Sequence, residues 1–513
     1  MSDDAARSLL PAPGAAGNEH WLTRFLVLRL LGLLYLMAFL TWVFQGPALV
    51  GHQGLIPTGP IFDQVRMNAG SRLSAFWQAP SLFWLLGHSD AVLFGSGWVG
   101  VALATAVMLG YANVPLLVVL WALQLSIADA GQVFYGFGWE LQLGETGFLC
   151  IFLVPLLDGR PFPRLRPSPI VIWLLRWLIV RVMWGAGLIK LRGDPCWRDL
   201  TCLDTYFETQ PIPNPLTPFF HAWPNWMHRG GVLYNHVVEL VAPVLVFCPR
   251  RARLIGGGAM AALQLSLILS GNLSFLNWLT LVPILACFDD GVWRRLLPTR
   301  LTAFADRAAA KAEIVAPLPR RVATIALGIV VGVLSLPVLV NLASGKQAMN
   351  RSFTRLPLVN TYGAFGSVNR QRNELIFEGT RDEVVTADSR WTAYEWKCKP
   401  GDPARAPCWM SPYHRRLDWL AWFAAMSEPA RYPFTVHLVW KLLQGDRGAL
   451  GLLAGDPFAG QPPRHVRVEL YRYQMNGPLT KGWWTRTRIG EWLPPLSLDD
   501  PNLRAFLEAE GWL

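Results

Sequence analysis

The chain has 513 residues, of which 52% are hydrophobic and only 16% charged, and its mean hydropathy is +0.29. Soluble globular domains carry about 25% charged residues, so the composition excludes an ordinary soluble fold and points to a membrane protein. The net charge is +11, but the basic residues sit mostly in short loops between apolar runs, which fits membrane topology and argues against a nucleic-acid partner.

Residues 1–20, "MSDDAARSLLPAPGAAGNEH", lack the basic start and apolar middle of a cleavable signal peptide. They read as a disordered cytoplasmic tail, and the apolar run from Trp21 to Phe44 reads as an uncleaved anchor. About nine transmembrane helices are expected, over 22–44, 91–110, 112–129, 133–156, 168–190, 230–248, 252–270, 273–289 and 321–343. The second and third are separated only by "GYAN" and are also readable as one kinked element. The loop 46–90 contains "GLIP", "NAGSR" and "FWQAPSLFWLL" and reads as interfacial helices with aromatic anchors. Arg-rich stretches at 158–167, 249–253 and 294–321 belong in the cytoplasm by the positive-inside rule. Alternating spans then put loops 46–90 and 191–229, and everything after about 345, on the exoplasmic side.

Residues 346–513 change character. "NELIFEGT" and "HVRVELYRYQM" alternate like half-buried strands, and "RLDWLAWFAAM" and "PFTVHLVWKLLQ" read as amphipathic helices. "EWLPPLSLDDPNLRAFLEAEGWL" reads as a proline turn and a short helix. The fold class is therefore an α-helical polytopic membrane protein, with a transmembrane domain over 21–345 and a C-terminal α+β exoplasmic domain over 346–513, long enough to bury a core.

Of seven cysteines, Cys150, Cys248 and Cys287 lie in or beside apolar spans and read as packing residues. Cys196, Cys202, Cys398 and Cys408 are on the side where disulfides persist. The simplest pairing is local, Cys196 with Cys202 and Cys398 with Cys408, although three connectivities are open. The spacing is not that of a thiol-exchange pair, and no four-ligand zinc spacing occurs.

Ionisable groups inside spans are functional candidates. Here they are Arg24, Arg29, Glu140, Glu145, Arg176, Arg181, Lys190, His236 and Glu239, and the plain expectation is that they pair inside the bundle. "NHVVEL" puts His236 and Glu239 three residues apart on one helix face, expected as a hydrogen-bonded pair against a neighbouring helix and weak as a metal site. Lys190 ends a span, with the small residues Ala186 and Gly187 beside it, leaving room for a ligand or a close helix contact. A lysine there ordinarily snorkels to the interface, whereas a desolvated one can act as a base.

Long stretches of the chain resemble the lipase maturation factor family. They are "GDPCWRDLTCLDTYFETQPIPNP" (193–215), "NHVVELVAPVLVF" (235–247), "SGNLSFLNWLTLVPILACFDD" (270–290), "NTYGAFGSVNRQRNELIFEGT" (360–380), "YEWKCKPGDPARAPCWMSPYHRRLDWLAWFAA" (394–425) and "VELYRY" (468–473). The resemblance implies a polytopic protein that helps secreted lipases fold and assemble without a cofactor, meeting its client through the exoplasmic loop and the C-terminal domain. Trp223 and Trp226 in "HAWPNWMHR" and Trp422 in the tail are the client-binding candidates. Arg/Ala/Pro-rich loops suggest a bacterial inner membrane with the C-terminal domain periplasmic, or the endoplasmic reticulum membrane in a eukaryote. A shorter likeness, "AGLIKLRGDPCWRD", is similar to vitamin K-dependent γ-carboxylases. It implies instead a membrane enzyme using a quinone-like lipophilic cofactor, with Lys190 as base and His236 or Glu239 in reach. A transporter is a third reading, without the inverted repeat that would support it.

Overall fold

The computed structural model describes residues 19–312, 316–478 and 480–513, so the expected tail lies outside the described residues except for Glu19 and His20. The membrane half begins with α1 (Trp21–Val50). Its first N–H groups, which have no partner within a helix, donate to Asp290: Trp21 and Leu22 at 2.9 Å and Thr23 at 3.3 Å. Next come α2 (Asp90–Leu109) and α3 (Val114–Ala130). "GYAN" divides them: Gly110, at φ +116°, closes α2 in the left-handed conformation that favours glycine, and the Asn113 side chain caps α3. They are two helices, not one kinked element.

The bundle continues with α4 (Gly138–Ile151), α5 (Pro169–Arg192) and α6 (Asn225–His236), which runs through a π-helical turn (Val237–Val241) into Ala242–Leu245. Then follow α7 (Arg250–Ser270), α8 (Leu276–Leu285) and α9 (Leu318–Ala343). Five of these, α1, α2, α5, α7 and α9, are long and apolar enough to cross a membrane. Of the other expected spans, α3, α4 and α8 have 17, 14 and 10 residues. At about 1.5 Å per residue they reach at most ~26 Å, short of the ~30 Å hydrocarbon layer. The fourth, α6, is interrupted by its π turn. Between α1 and α2 the chain forms the short helices Thr58–Ala69, Arg72–Gln78 and Phe83–Leu86, which leave Met67, Leu73, Trp77 and Leu85 exposed, as an interfacial segment would.

The two ends of the bundle differ. At one, Arg24 donates to the Leu165 carbonyl at 2.6 Å, Arg250 pairs with Asp289 at 2.7 Å, and Arg320 donates to the Val154 carbonyl at 3.0 Å. The Arg-rich stretches therefore gather where α1 and α5 begin. The C-terminal region packs on the opposite end, where α1 and α5 finish.

That region is built on an antiparallel sheet. Its strands are β1 (Arg372–Thr380), β2 (Thr392–Tyr394), β3 (His465–Met475) and β4 (Trp484–Leu496), in the order β2-β1-β3-β4. Opposite Leu470 and Val468 of β3 stand Leu375 and Phe377 of β1. The sequence suggests half-buried strands, but β1 is covered on both faces. Its charged face is buried as ion pairs, Glu374 with Arg372 and Lys399, and Glu378 with Arg467. The expected proline turn is also corrected, since Pro494 and Pro495 lie inside β4. An edge strand tolerates proline because its outer N–H groups need no ladder partner, and the register shifts there, between the Val466 and Val468 pairings. The helices are α10 (Arg416–Ala424), α11 (Phe434–Leu443), α12 (Arg447–Leu452) and α13 (Pro501–Ala509).

One hydrophobic core runs without a break from the membrane helices, through residues such as Phe39 and Ile179, into the C-terminal region at Trp396, Leu438 and Val466. Polar clasps fix the joint. The Gln45 side chain donates to the His414 carbonyl at 2.6 Å and accepts from the Arg416 N–H at 2.9 Å. Arg372 donates to the carbonyls of Glu208, Gln210 and Pro211 at 2.5–3.0 Å.

Candidate functional site

Lys190 occupies the last turn of α5. Only 5% of it is exposed, so it does not snorkel. Gly187, one turn earlier, allows the π turn after α6 to press against α5: a Cβ there would stand 2.7 Å from Leu240 Cδ2 and 3.0 Å from Glu239 Cβ. A π turn frees a carbonyl from the helical ladder, and the Leu240 carbonyl accepts from the Trp184 indole at 3.1 Å. This bulge carries Glu239 to Lys190, with Nζ 2.5 Å from Oε1. The other carboxylate oxygen accepts from Asn235 Nδ2 at 2.9 Å. The Trp197 ring lies 5.1 Å from Nζ, close enough for a cation–π contact.

The expected His236–Glu239 pair is replaced. The widened turn sends Glu239 to Lys190, while His236 Nε2 lies 3.0 Å from the Trp197 carbonyl. Among the described residues, no group of three or more His, Cys, Asp or Glu side chains is arranged to hold a metal.

Beside the ion pair is a cavity of about 670 Å³, lined from α4, α5, α6, α7, α8, α10, the segment 197–223 and residues 349–350 and 362–367. Its size falls in the range of small-molecule sites. Lys190, Glu239 and Asn235 form one polar part of the wall, and aromatic and aliphatic side chains such as Tyr206, Phe207, Trp419, Phe423, Leu263 and Leu267 form most of the rest. Burial, and then the Glu239 charge, push the Tyr206 hydroxyl well above the ordinary phenol range, so it stays a neutral donor. Ala186 faces this space while its neighbour Gly187 makes the helix contact.

The three tryptophan candidates separate. Trp226 is 73% exposed and Trp223 38%, and Trp223 also reaches the cavity wall. Trp422 is half-buried, lines the cavity and donates to the Thr209 carbonyl at 3.0 Å. The cysteines pair locally, Cys196 with Cys202 and Cys398 with Cys408. Cys150, Cys248 and Cys287 are free, and Cys150 and Cys287 are fully buried.

The intramembrane charges pair among themselves only in part. Arg181 is bound to Glu145 and Lys190 to Glu239. Glu140 instead pairs with Arg416 of α10 at 2.6 Å. Arg24, Arg29 and Arg176 donate to main-chain carbonyls at 2.6–2.9 Å. Sequence inspection overlooked Asn235 and Trp197. Asn235 stands four residues before Glu239, a helical-neighbour spacing that was open to detection; the approach of Trp197 to Lys190 has no such signal.

Comparison with known proteins gives a consistent result. The family described as Lipase maturation factor transmembrane domain matches residues 22–295, and that described as Lipase maturation factor C-terminal domain matches residues 358–494. The chain is 46% identical to Lipase maturation factor 1 of Bos taurus, over 98% of this chain and 93% of that protein. It is 45% identical to Lipase maturation factor 1 of Homo sapiens, over 98% and 94%. With Lipase maturation factor 2 of Rattus norvegicus the identity is 29%, over 93% of this chain and 83% of the relative. No solved structure matches the chain.

Proposed function

Since the chain belongs to the lipase maturation factor family, we propose that this integral membrane protein assists the folding and assembly of secreted lipases. The observation that carries this is the likeness to Lipase maturation factor 1 along nearly the whole length of both chains. The exposed Trp226 and Phe219, with the partly exposed Trp223, offer an aromatic surface for an unfolded or half-assembled client. Aromatic side chains give large contact area at low entropic cost.

In this proposal α3, α4, α6 and α8 complete a set of nine crossings, and loops 46–90 and 191–229 share the exoplasmic side with residues 346–513. Two observations favour that topology: the Arg-rich stretches gather at the end away from the C-terminal region, and the two disulfides lie at the other. Single cysteines placed at 85 and 300 test it. Only the one at 85 is expected to react with a membrane-impermeant thiol reagent from the exoplasmic side, and the reverse labelling sinks the topology. The maturation role is tested by supplying the chain to cells that lack a maturation factor and secrete a dimeric lipase. Secreted lipase activity is expected to return, and to fall several-fold with Trp226→Ser at unchanged protein level. No recovery with the intact chain overturns the proposal.

The cavity beside Lys190 is the one feature that favours a membrane enzyme with a lipophilic cofactor. Against it, the lysine that would serve as base is committed to a salt bridge with Glu239, and His236 is turned to the Trp197 carbonyl.

A further inference from the structure

Two of the helices that wall the Lys190 cavity are α6 and α7. These helices line it with Asn235 and Tyr234 on one side and Leu263 and Leu267 on the other. On their outer surfaces Leu233, Val237, Leu265 and Leu269 are 46–54% exposed. Aliphatic side chains left open on membrane helices face hydrocarbon. The two helices are tied by one side-chain hydrogen bond here, from the Tyr234 hydroxyl to the Ala259 carbonyl at 3.1 Å. A lipophile entering between these two helices would come from the bilayer without crossing water.

The polar part of the wall selects its head group. An ammonium has three N–H donors. Among the described residues one Lys190 donor is engaged, by Glu239, whose two oxygens are taken by Lys190 and Asn235. The other two donors have no hydrogen-bond acceptor among the described residues, with the Trp197 ring 5.1 Å from Nζ and Lys190 itself part of the cavity lining. The pair is neutral as a unit, so it offers hydrogen bonds to an uncharged acceptor without net attraction for an anion. The cavity of about 670 Å³ lies within the range of sites that enclose a drug-sized ligand.

We propose that this cavity is a binding site for a neutral acyl-ester lipid. The chain lies among Leu263, Leu267 and Phe423, and the ester carbonyl accepts from Lys190. Trp223 borders both this site and the aromatic surface at Trp226, but lipid binding here does not depend on the maturation role.

The test uses the full chain in nanodiscs with a monoacylglycerol carrying a photoactivatable diazirine in a sixteen-carbon chain. Labelling is expected to saturate, to map to α5, α6 and α7, and to be competed by the unlabelled lipid. Ala186→Phe and Ser266→Trp, which fill the cavity from two helices, are each expected to cut labelling at least tenfold with an unchanged melting temperature. If one of them fails to fold, the other and the competition experiment still decide. Lys190→Met combined with Glu239→Gln removes the head contact without orphaning a charge and is expected to weaken binding about three- to tenfold. Unsaturable labelling spread along the outward face of α9 means bulk lipid only and overturns the proposal. Stronger binding of the free fatty-acid anion than of the ester overturns it, as does displacement of the probe by an isoprenoid quinone co-purifying with the protein.

Discussion

Two buried ion pairs join helices of the membrane half, and they are built for different ends. Glu145 and Arg181 have side chains with no exposure at all. The second Glu145 oxygen accepts from the Asn360 backbone at 3.0 Å, the Asn360 amide at 3.1 Å and the Tyr362 hydroxyl at 2.7 Å, while Arg181 donates to the Asn360 carbonyl at 2.9 Å. That pair is a packed joint, in which the protein itself supplies most of the compensating contacts and only the Arg181 Nε, among the described atoms of the pair, has no hydrogen-bond partner. Lys190 and Glu239 have only Asn235 as a further hydrogen-bonding partner and border open space. Buried charge is tolerated where its hydrogen-bonding capacity is met. Where capacity is left over beside a cavity, a ligand can meet it.

Removing one partner of the packed joint has the largest expected effect. Glu145→Ala strands Arg181 in a dry site and is expected to cost about 3–5 kcal/mol, seen as loss of monodisperse protein or a steep fall in melting temperature. Retention of wild-type stability would break the contrast. Removing both partners sharpens it. Lys190→Met with Glu239→Gln is expected to stay within about 1 kcal/mol of the parent, because only Asn235 loses its carboxylate. Glu145→Gln with Arg181→Met disturbs the Tyr362 and Asn360 contacts and is expected to remain destabilised by about 1–3 kcal/mol. Comparable melting temperatures for the two double variants would refute the distinction. Gly187→Ala forces a Cβ against Leu240 and Glu239 and is expected to cost about 1–3 kcal/mol by overpacking, with loss of lipid labelling, whereas Ala186→Gly on the cavity side is expected to leave the helix contact intact.

The smallest effect is on pH dependence, and it lies in the C-terminal region. Burial raises the Asp418 carboxyl to about 6, so its contribution is present at low pH and is lost as pH rises from about 4 through 6. Burial lowers His437 to about 4; its contribution is present above about 6.5 and is lost as pH falls through 4. Between pH 4 and 6 the two slopes oppose and largely cancel. Relative to the parent, Asp418→Asn is expected to steepen the fall of melting temperature as pH drops through this window and His437→Gln to lessen it, while His414, held well below the ordinary imidazole range by burial, adds to the fall in both. A slope unchanged from the parent's in both variants would remove Asp418 and His437 from the account.

Much of the fold is legible in local pattern. Period-two alternation marks β1 and β3, and apolar length marks α1, α5 and α9, because these signals depend on neighbours within a turn or two. β4 is hidden because Pro494 and Pro495 look like a breaker, and only its place at the sheet edge makes them harmless. The interruption of α6 is equally hidden, since a π turn leaves no mark in a 3.6-residue pattern. Lys190 and Glu239 are each visible as charges in apolar surroundings, yet their pairing across 49 positions is not.

By itself the sequence determines a membrane protein, a mixed C-terminal region and the family resemblance, and it offers two short disulfide loops as the simplest of three pairings. The resemblance rests on the quoted motifs, and the others on composition, periodicity or spacing along the chain. Only the tertiary structure decides which ion pair is packed among protein contacts and which borders a cavity, and that Trp422 faces this cavity. The reason is geometric. Glu145 meets Asn360 across 215 residues, and the cavity wall draws on segments from Gly136 to Phe423. Such contacts follow from how helices pack around small residues such as Gly187, which no local pattern records.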